Sequence, residues 1–278
     1  MVVGRTLKSF GWQTIGGKPM SNLPWARKSL GQHWLIDPSS LEAIAEAAEL
    51  TPDETVLEIG PGPGALTKLL VQEAKQVIAV ELDERLAEQL PGRVPADNLT
   101  VTREDILKFD LGKLPVDYKV VANIPYYLTS HLLRVLTEAT NPPLRMVLLI
   151  QKEVAERIVA KPGNMSILSV SVQLHYQAKA GQVIEAHNFR PAPKVDSQVL
   201  VLNRRPQPLF ENFDEKAFMR VVKAGFAARR KTLLNSLAGG LRLDKQAVEK
   251  MLETASLQPG MRPQELNLQQ WHALYLAQ

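Results

Sequence analysis

Residues 56–67 read VLEIGPGPGALT, an apolar, β-branched run that breaks at Gly60-Pro61-Gly62-Pro63-Gly64 and resumes with a helical pattern. Strand, glycine turn and helix in that order form the repeating unit of a doubly wound α/β sheet. Glycines at Gly60, Gly62 and Gly64 let the backbone turn tightly and approach a ligand, with the next helix's N-terminus aimed at the same spot. A dinucleotide fingerprint is spaced G-x-G-x-x-G, whereas the spacing here is G-x-G-x-G, stiffened by two prolines and preceded by Glu58. On its own the loop is either a structural turn or a cofactor cradle.

Outward from it, TVLEIG (55–60), QVIAVE (76–81), LTVTRED (99–105), YKVVAN (118–123) and RMVLLIQ (145–151) predict strands. ALTKLLVQEA (65–74), LDERLAEQL (82–90) and SHLLRVLTEA (130–139) predict helices. Continuous Val/Ile/Leu runs suit strands covered on both faces, so the expected class is α/β, doubly wound on a mostly parallel sheet. RRPQPLF (204–210) reads as a linker. Beyond it, apolar residues recur at helical spacing through 215–237, 244–255 and 266–277, which predicts a small all-helical domain over 211–278. The main domain is expected at 29–205. Residues 1–28, Gly-rich and aperiodic, read as a basic flexible tail in which Met20 is an alternative start.

The 278 residues include no cysteine, which excludes disulfides, thiolate metal sites and a cysteine nucleophile. No apolar stretch reaches the ~18 residues of a membrane span, and the first 28 residues lack a secretory apolar core. A soluble cytoplasmic protein is expected. The net charge of +4 is unevenly placed: residues 1–28 carry five Lys/Arg and no acid, and 201–278 carry twelve against seven Asp/Glu. Basic ends are either solvated surface or a polyanion footprint.

The strand ends carry the chemistry. Glu81 ends the second strand, 21 residues after Gly60, where a carboxylate can accept both hydroxyls of a ribose. Asp105 ends the third and can bond an adenine amino group. Glu81 is alternatively part of a helix cap with Asp83, and Asp105 a surface acid. The fourth strand ends VVANIPYYLTS (120–130). An adenine amine is a poor nucleophile because its lone pair is delocalised into the ring. Two acceptors, the Asn123 side-chain oxygen and the Ile124 carbonyl, can hold both its hydrogens and free that pair. Pro125 restrains the backbone and offers no competing N–H, and Tyr126 offers a face for an extruded base. A helix N-cap with a proline turn is the plainer alternative.

Glycine loop, Glu81 and Asp105 together resemble the Rossmann-like S-adenosylmethionine-dependent methyltransferases. With Asn-Ile-Pro-Tyr, RKSLGQHWLID (27–37), FRPAPKVDSQVLVL (189–202), FAARRKTLLNSL (226–237) and LQPGMRPQELNLQQW (257–271), the chain resembles the ribosomal RNA adenine N6,N6-dimethyltransferase family from Arg27 to its C-terminus. The C-terminal motifs favour the small-subunit enzymes, which dimethylate two adjacent adenines in a hairpin loop near the rRNA 3′ end. The alternatives are a large-subunit enzyme of the macrolide-resistance type and an assembly-checkpoint factor with secondary catalysis.

The resemblance implies S-adenosyl-L-methionine as cofactor, lined by His33, Leu35, Gly60, Glu81, Asp105 and Asn123. It implies that Tyr126 and Phe189 sandwich the target base and that GQHWL folds over the cofactor. It further implies a partly assembled small subunit as substrate; no metal or membrane is expected, and a monomer is. Phe189 otherwise reads as a core aromatic. Arg229, Arg230 and Lys231, between Phe226 and Asn235 on an expected helix, are either a solvated face or phosphate contacts. Three positions depart from the family pattern: His33 stands for Asn, Tyr127 replaces a commoner small polar residue, and 161–170 lacks a Tyr-Gly, where a substrate-side loop is expected to differ.

Overall fold

A computed structural model describes residues 23–212, 214–228 and 230–278, and the backbone of two short paired strands, β1 (Thr14–Ile15) and β2 (Lys18–Pro19). After β3 (Trp34–Leu35) and α1 (Pro38–Ala47), strands and helices alternate: β4 (Thr55–Ile59), α2 (Thr67–Glu73), β5 (Gln76–Glu81), α3 (Glu84–Arg93), β6 (Leu99–Arg103), β7 (Lys119–Asn123), α4 (Thr129–Thr137) and β8 (Arg145–Gln151). Then come α5 (Lys152–Ile158), α6 (Ile167–His175), β9 (Tyr176–Ile184), the two-residue β10 (Phe189–Arg190) and β11 (Ser197–Arg204). Four helices close the chain: α7 (Glu215–Gly225), α8 (Leu233–Leu241), α9 (Lys245–Thr254) and α10 (Leu268–Leu276).

The central sheet runs β6-β5-β4-β7-β8-β11-β9, with the first five strands parallel. Side chains on successive strand residues point to opposite faces. Met146, Leu148 and Ile150 therefore join one core with Leu132, Leu133 and Leu136 of α4. Val147 and Leu149 join the other with Leu41 and Ile44 of α1 and Leu70 of α2. Burial on both faces explains the unbroken aliphatic runs. Because β4, β5, β6 and β7 are parallel, their C-terminal ends gather at one edge, the edge where open α/β sheets bind ligands. β11 and β9 add an antiparallel hairpin at the far side, which the strand reading did not contain.

The helical C-terminus has its own core around Trp271, Phe218, Leu233 and Leu252, to which Met165, Val170 and Leu174 of the α6 region also belong. The 161–170 stretch thus docks on the helical region: the Gly163 and Met165 amides both donate to the Gln264 carbonyl, at 2.8 and 3.1 Å.

Two further expectations change. The helical pattern over 215–237 is cut at 226–232, where the chain turns between α7 and α8. Gly225 packs so closely on Trp271 that an added Cβ would stand 2.4 Å from the ring, and Gly240 would meet Ala224 Cα at 2.6 Å. Two helices in such contact demand a reversal that periodicity does not mark. Residues 23–28, expected in the tail, instead pack on the main domain: Trp34 Nε1 donates to the Pro24 carbonyl at 2.9 Å and Arg85 to the Trp25 carbonyl at 2.8 Å.

Candidate active site

The gathered strand ends and the lead-in segment enclose a cavity of about 210 Å³ whose lining includes His33, Leu35, Gly60, Glu81, Asp105, Asn123, Ile124, Pro125, Tyr126 and Phe189. Ten of the sequence-selected residues meet there. Gly62 stands behind the wall, with its amide donating to Glu81 Oε2 at 3.1 Å.

The loop after β4 needs its glycines. Gly60, Gly62 and Gly64 have φ of 65°, 56° and 88°, a region that side chains disfavour. A Cβ on Gly62 would also meet Trp34 Cζ3 at 2.7 Å, and one on Gly64 the Leu90 Cδ1 at 2.7 Å. The bare backbone lets Trp34 close over the loop.

Glu81 is 6% exposed. Its Oε1 accepts from the Asp83 amide at 2.9 Å and its Oε2 from Gly62, which aims the remaining lone pairs at the cavity. Burial raises its carboxyl above the ordinary Glu range, against those amide bonds. Asp105 lies two residues past β6, its Oδ1 accepting from the Leu107 amide at 3.0 Å. Glu58 is a carboxylate in the middle of a buried strand. Its carboxyl is pushed up to about 8 by burial; the nearby Thr67 hydroxyl pulls the other way and adjacent Glu81 adds to the rise. Glu58 Oε2 and the Thr67 hydroxyl have no hydrogen-bond partner among the described residues. The signal for Glu58 was legible, since an acid interrupts an otherwise apolar run.

Asn123 ends β7, and its Nδ2 donates to the His33 carbonyl at 3.1 Å, so Oδ1 is its unused acceptor. The Ile124 amide is held by the Leu149 carbonyl at 3.1 Å, and no described donor reaches the Ile124 carbonyl. Pro125, at φ −55°, leads into a short 3-10 turn over Tyr126–Leu128. The Tyr126 hydroxyl is tied to Ser197 Oγ at 2.8 Å, and burial raises its pKa. Its ring lies nearly parallel to that of His33, with centroids 6.0 Å apart. Phe189 pairs with Leu35 across the β3–β10 ribbon and is 1% exposed, so a base stacked on it requires that ring to be uncovered.

The lead-in segment has a latch that sequence reading missed. Asp83, its side chain fully buried, accepts from Gln32 Nε2 at 3.3 Å and faces Arg27 at 3.5 Å and Arg85 at 3.6 Å. Nothing in the spacing of Gln32 and Asp83, 51 residues apart, pointed to this pair.

Arg230 and Lys231 are exposed in the turn between α7 and α8, not on a helix; Arg229 lies outside the described residues. Among the described residues no group of three or more His, Cys, Asp or Glu is placed to hold a metal ion, and no helix is long and apolar enough to cross a membrane.

Residues 25–277 match the family model described as ribosomal RNA adenine dimethylase. The chain belongs to that family. Two curated relatives from Dehalococcoides mccartyi, each named ribosomal RNA small subunit methyltransferase A, are 41% and 43% identical over 90% of this chain and 88% of theirs. A relative of the same name from Bacillus cytotoxicus is 40% identical over 89% of both chains. Among solved structures, the 23S rRNA methyltransferase ErmE superposes with a TM-score of 0.73 at 31% identity, over 88% of this chain and 98% of that one. A dimethyladenosine transferase from Plasmodium falciparum does so with 0.73 at 28%, over 86% and 94%. The chain therefore has the class I methyltransferase fold with a helical C-terminal region, and its methyl donor is S-adenosylmethionine. The site fits that donor: a carboxylate, Glu81, placed for a ribose, a glycine loop open at Gly60 where a Cβ would meet nothing within 4 Å, and an apolar wall into which Glu58 brings a carboxyl oxygen with no described partner.

Proposed function

We propose that this dimethylase transfers methyl groups to the N6 amines of two adjacent adenines in the 3′-terminal hairpin loop of small-subunit rRNA. The observation that carries the chemistry is the pair of unused acceptors, Asn123 Oδ1 and the Ile124 carbonyl, on consecutive residues that both line the cavity. The cofactor supplies an electrophilic methyl on its sulfonium. Glu81 would hold its ribose and Asp105 its adenine, Gly60, His33 and Leu35 would line the remainder, and Gly62 would act from behind the wall by holding Glu81. The two acceptors take the amino hydrogens of the flipped base, drawing the nitrogen toward tetrahedral geometry, while Tyr126 and then Phe189 stack on its faces. Oriented dipoles in a dry site act without reorganising at the moment of reaction. The methylated amine gives its proton to water.

The relatives named for the small subunit support that substrate over the large-subunit alternative, since they share more of the sequence than the 23S enzyme does. In this reading the enzyme works in the cytoplasm, as a monomer, on a partly assembled subunit, with residues 211–278 positioning the RNA. Primer extension across both rRNAs of a deletion strain, with and without the restored gene, tests it. Restored stops at two adjacent small-subunit adenines are expected. Stops only in large-subunit rRNA would support the macrolide-resistance type. An Asn123→Ala variant that restores subunit maturation without the stops would support the checkpoint reading.

A further inference from the structure

Tyr127, one of the departures from the family pattern, is 65% exposed and yet lines the mouth of the cavity. Exposed aromatics scattered singly need no explanation, but this ring is braced. Gly31 faces it so closely that an added Cβ would stand 3.2 Å from Tyr127 Cε1 and 3.4 Å from Pro125 Cβ. Gly31 is the left-handed residue, φ 62°, that ends the 3-10 turn Lys28–Leu30. The exposed Lys28 therefore stands on the segment that holds the ring, next to Arg27, whose guanidinium also faces Asp83. The cavity's acids, Glu58, Glu81 and Asp105, come instead from the strand ends of β4, β5 and β6. An open aromatic face beside cations is the combination that binds a nucleotide by its base and its phosphate.

We propose that Tyr127 is a positioning residue on which the base next to the flipped adenine stacks. The inference rests on the RNA-adenine reading above. Flipping one adenine strips its neighbour of a stacking partner, and a ring one residue beyond Tyr126 lies at the place where that neighbour is left. The occupant is a purine of the same RNA loop, one nucleotide from the target.

The test uses the full chain, S-adenosylhomocysteine and a hairpin RNA with 2-aminopurine in place of the adenine beside the target. Wild-type protein, Tyr127→Phe and Tyr127→Trp are expected to quench the probe. Tyr127→Leu keeps an apolar side chain against Gly31 but has no π-face. It is expected to leave the probe bright and to raise the RNA KM about tenfold, the size of one base–aromatic stack, with the loss in KM rather than kcat. Calorimetric binding of S-adenosylhomocysteine reports that each variant is folded. Equal quenching and equal KM in Tyr127→Leu would overturn the proposal, as would failure of Phe and Trp to rescue. A wild-type enzyme that methylates no RNA adenine would instead remove the functional reading, and this inference with it.

Discussion

The Asn123 side-chain nitrogen donates to the His33 carbonyl at 3.1 Å, a bond between residues 90 apart that fixes which end of the amide is left for a ligand. The lead-in segment thereby orients the acceptor. Asn123→Ala removes the acceptor and frees His33. The methyl-transfer rate is expected to fall about 10²–10³-fold, as for loss of one oriented hydrogen-bonding group, with RNA affinity nearly kept. Single-turnover transfer alongside filter binding checks this; equal losses in both would mean that Asn123 serves binding only.

Gly62→Ala would place a Cβ 2.7 Å from Trp34 Cζ3, on a backbone with φ 56°. A side chain there costs about 1–3 kcal/mol of strain, and Trp34 must leave the loop. Calorimetry is expected to show at least about tenfold weaker S-adenosylhomocysteine binding, with a lowered Tm. Affinity equal to wild type would show that Trp34 need not close over the loop.

Asp83 holds Gln32, Arg27 and Arg85 together from a buried position. Asp83→Ala leaves the buried Gln32 amide without its acceptor, which costs about 1–3 kcal/mol. Trypsin should then cut after Arg27 or Lys28 sooner than in wild type, and cofactor binding should weaken with it. Unchanged cleavage kinetics would mean that other contacts hold the segment.

Glu58, pushed up to about 8 by burial, keeps a proton in the folded chain that the unfolded chain has already released. Its stabilising contribution is complete below the ordinary Glu value of 4.5 and is lost as pH rises through about 8. Glu58→Gln keeps the shape without the proton. The Tm of wild type should therefore fall relative to Glu58→Gln between about pH 5 and about pH 8. Parallel curves would contradict the assignment.

Arg230 and Lys231 project from the turn between α7 and α8 into solvent. Replacing both, with Arg229, by Gln should weaken rRNA binding and flatten the slope of log affinity against log salt by about 0.7–0.9 per lost phosphate contact. A salt titration that superimposes on wild type would leave the cluster a solvated face.

Strands were the legible part. Their apolar runs answer directly to two-sided burial, so QVIAVE and RMVLLIQ coincide with β5 and β8 to the residue. Residues at parallel strand ends, Gly60, Glu81 and Asn123, were legible for the same reason: parallel pairing alone brings them to one edge. The turn at 226–232 was not, because Ala227 and Ala228 are good helix formers and the contact that brings α8 back onto α7, Gly240 against Ala224, joins residues whose spacing marks no turn. The β3–β10 ribbon and the Asp83 latch were hidden because each joins distant segments through one or two residues, too few to carry a period.

A crystal of the enzyme with S-adenosylhomocysteine and the hairpin RNA tests the central claim most directly. The adenine N6 should lie within about 3 Å of Asn123 Oδ1 and of the Ile124 carbonyl, with the base against Tyr126. A bound, flipped adenine whose amine stands beyond about 4 Å from the amide oxygen would contradict it.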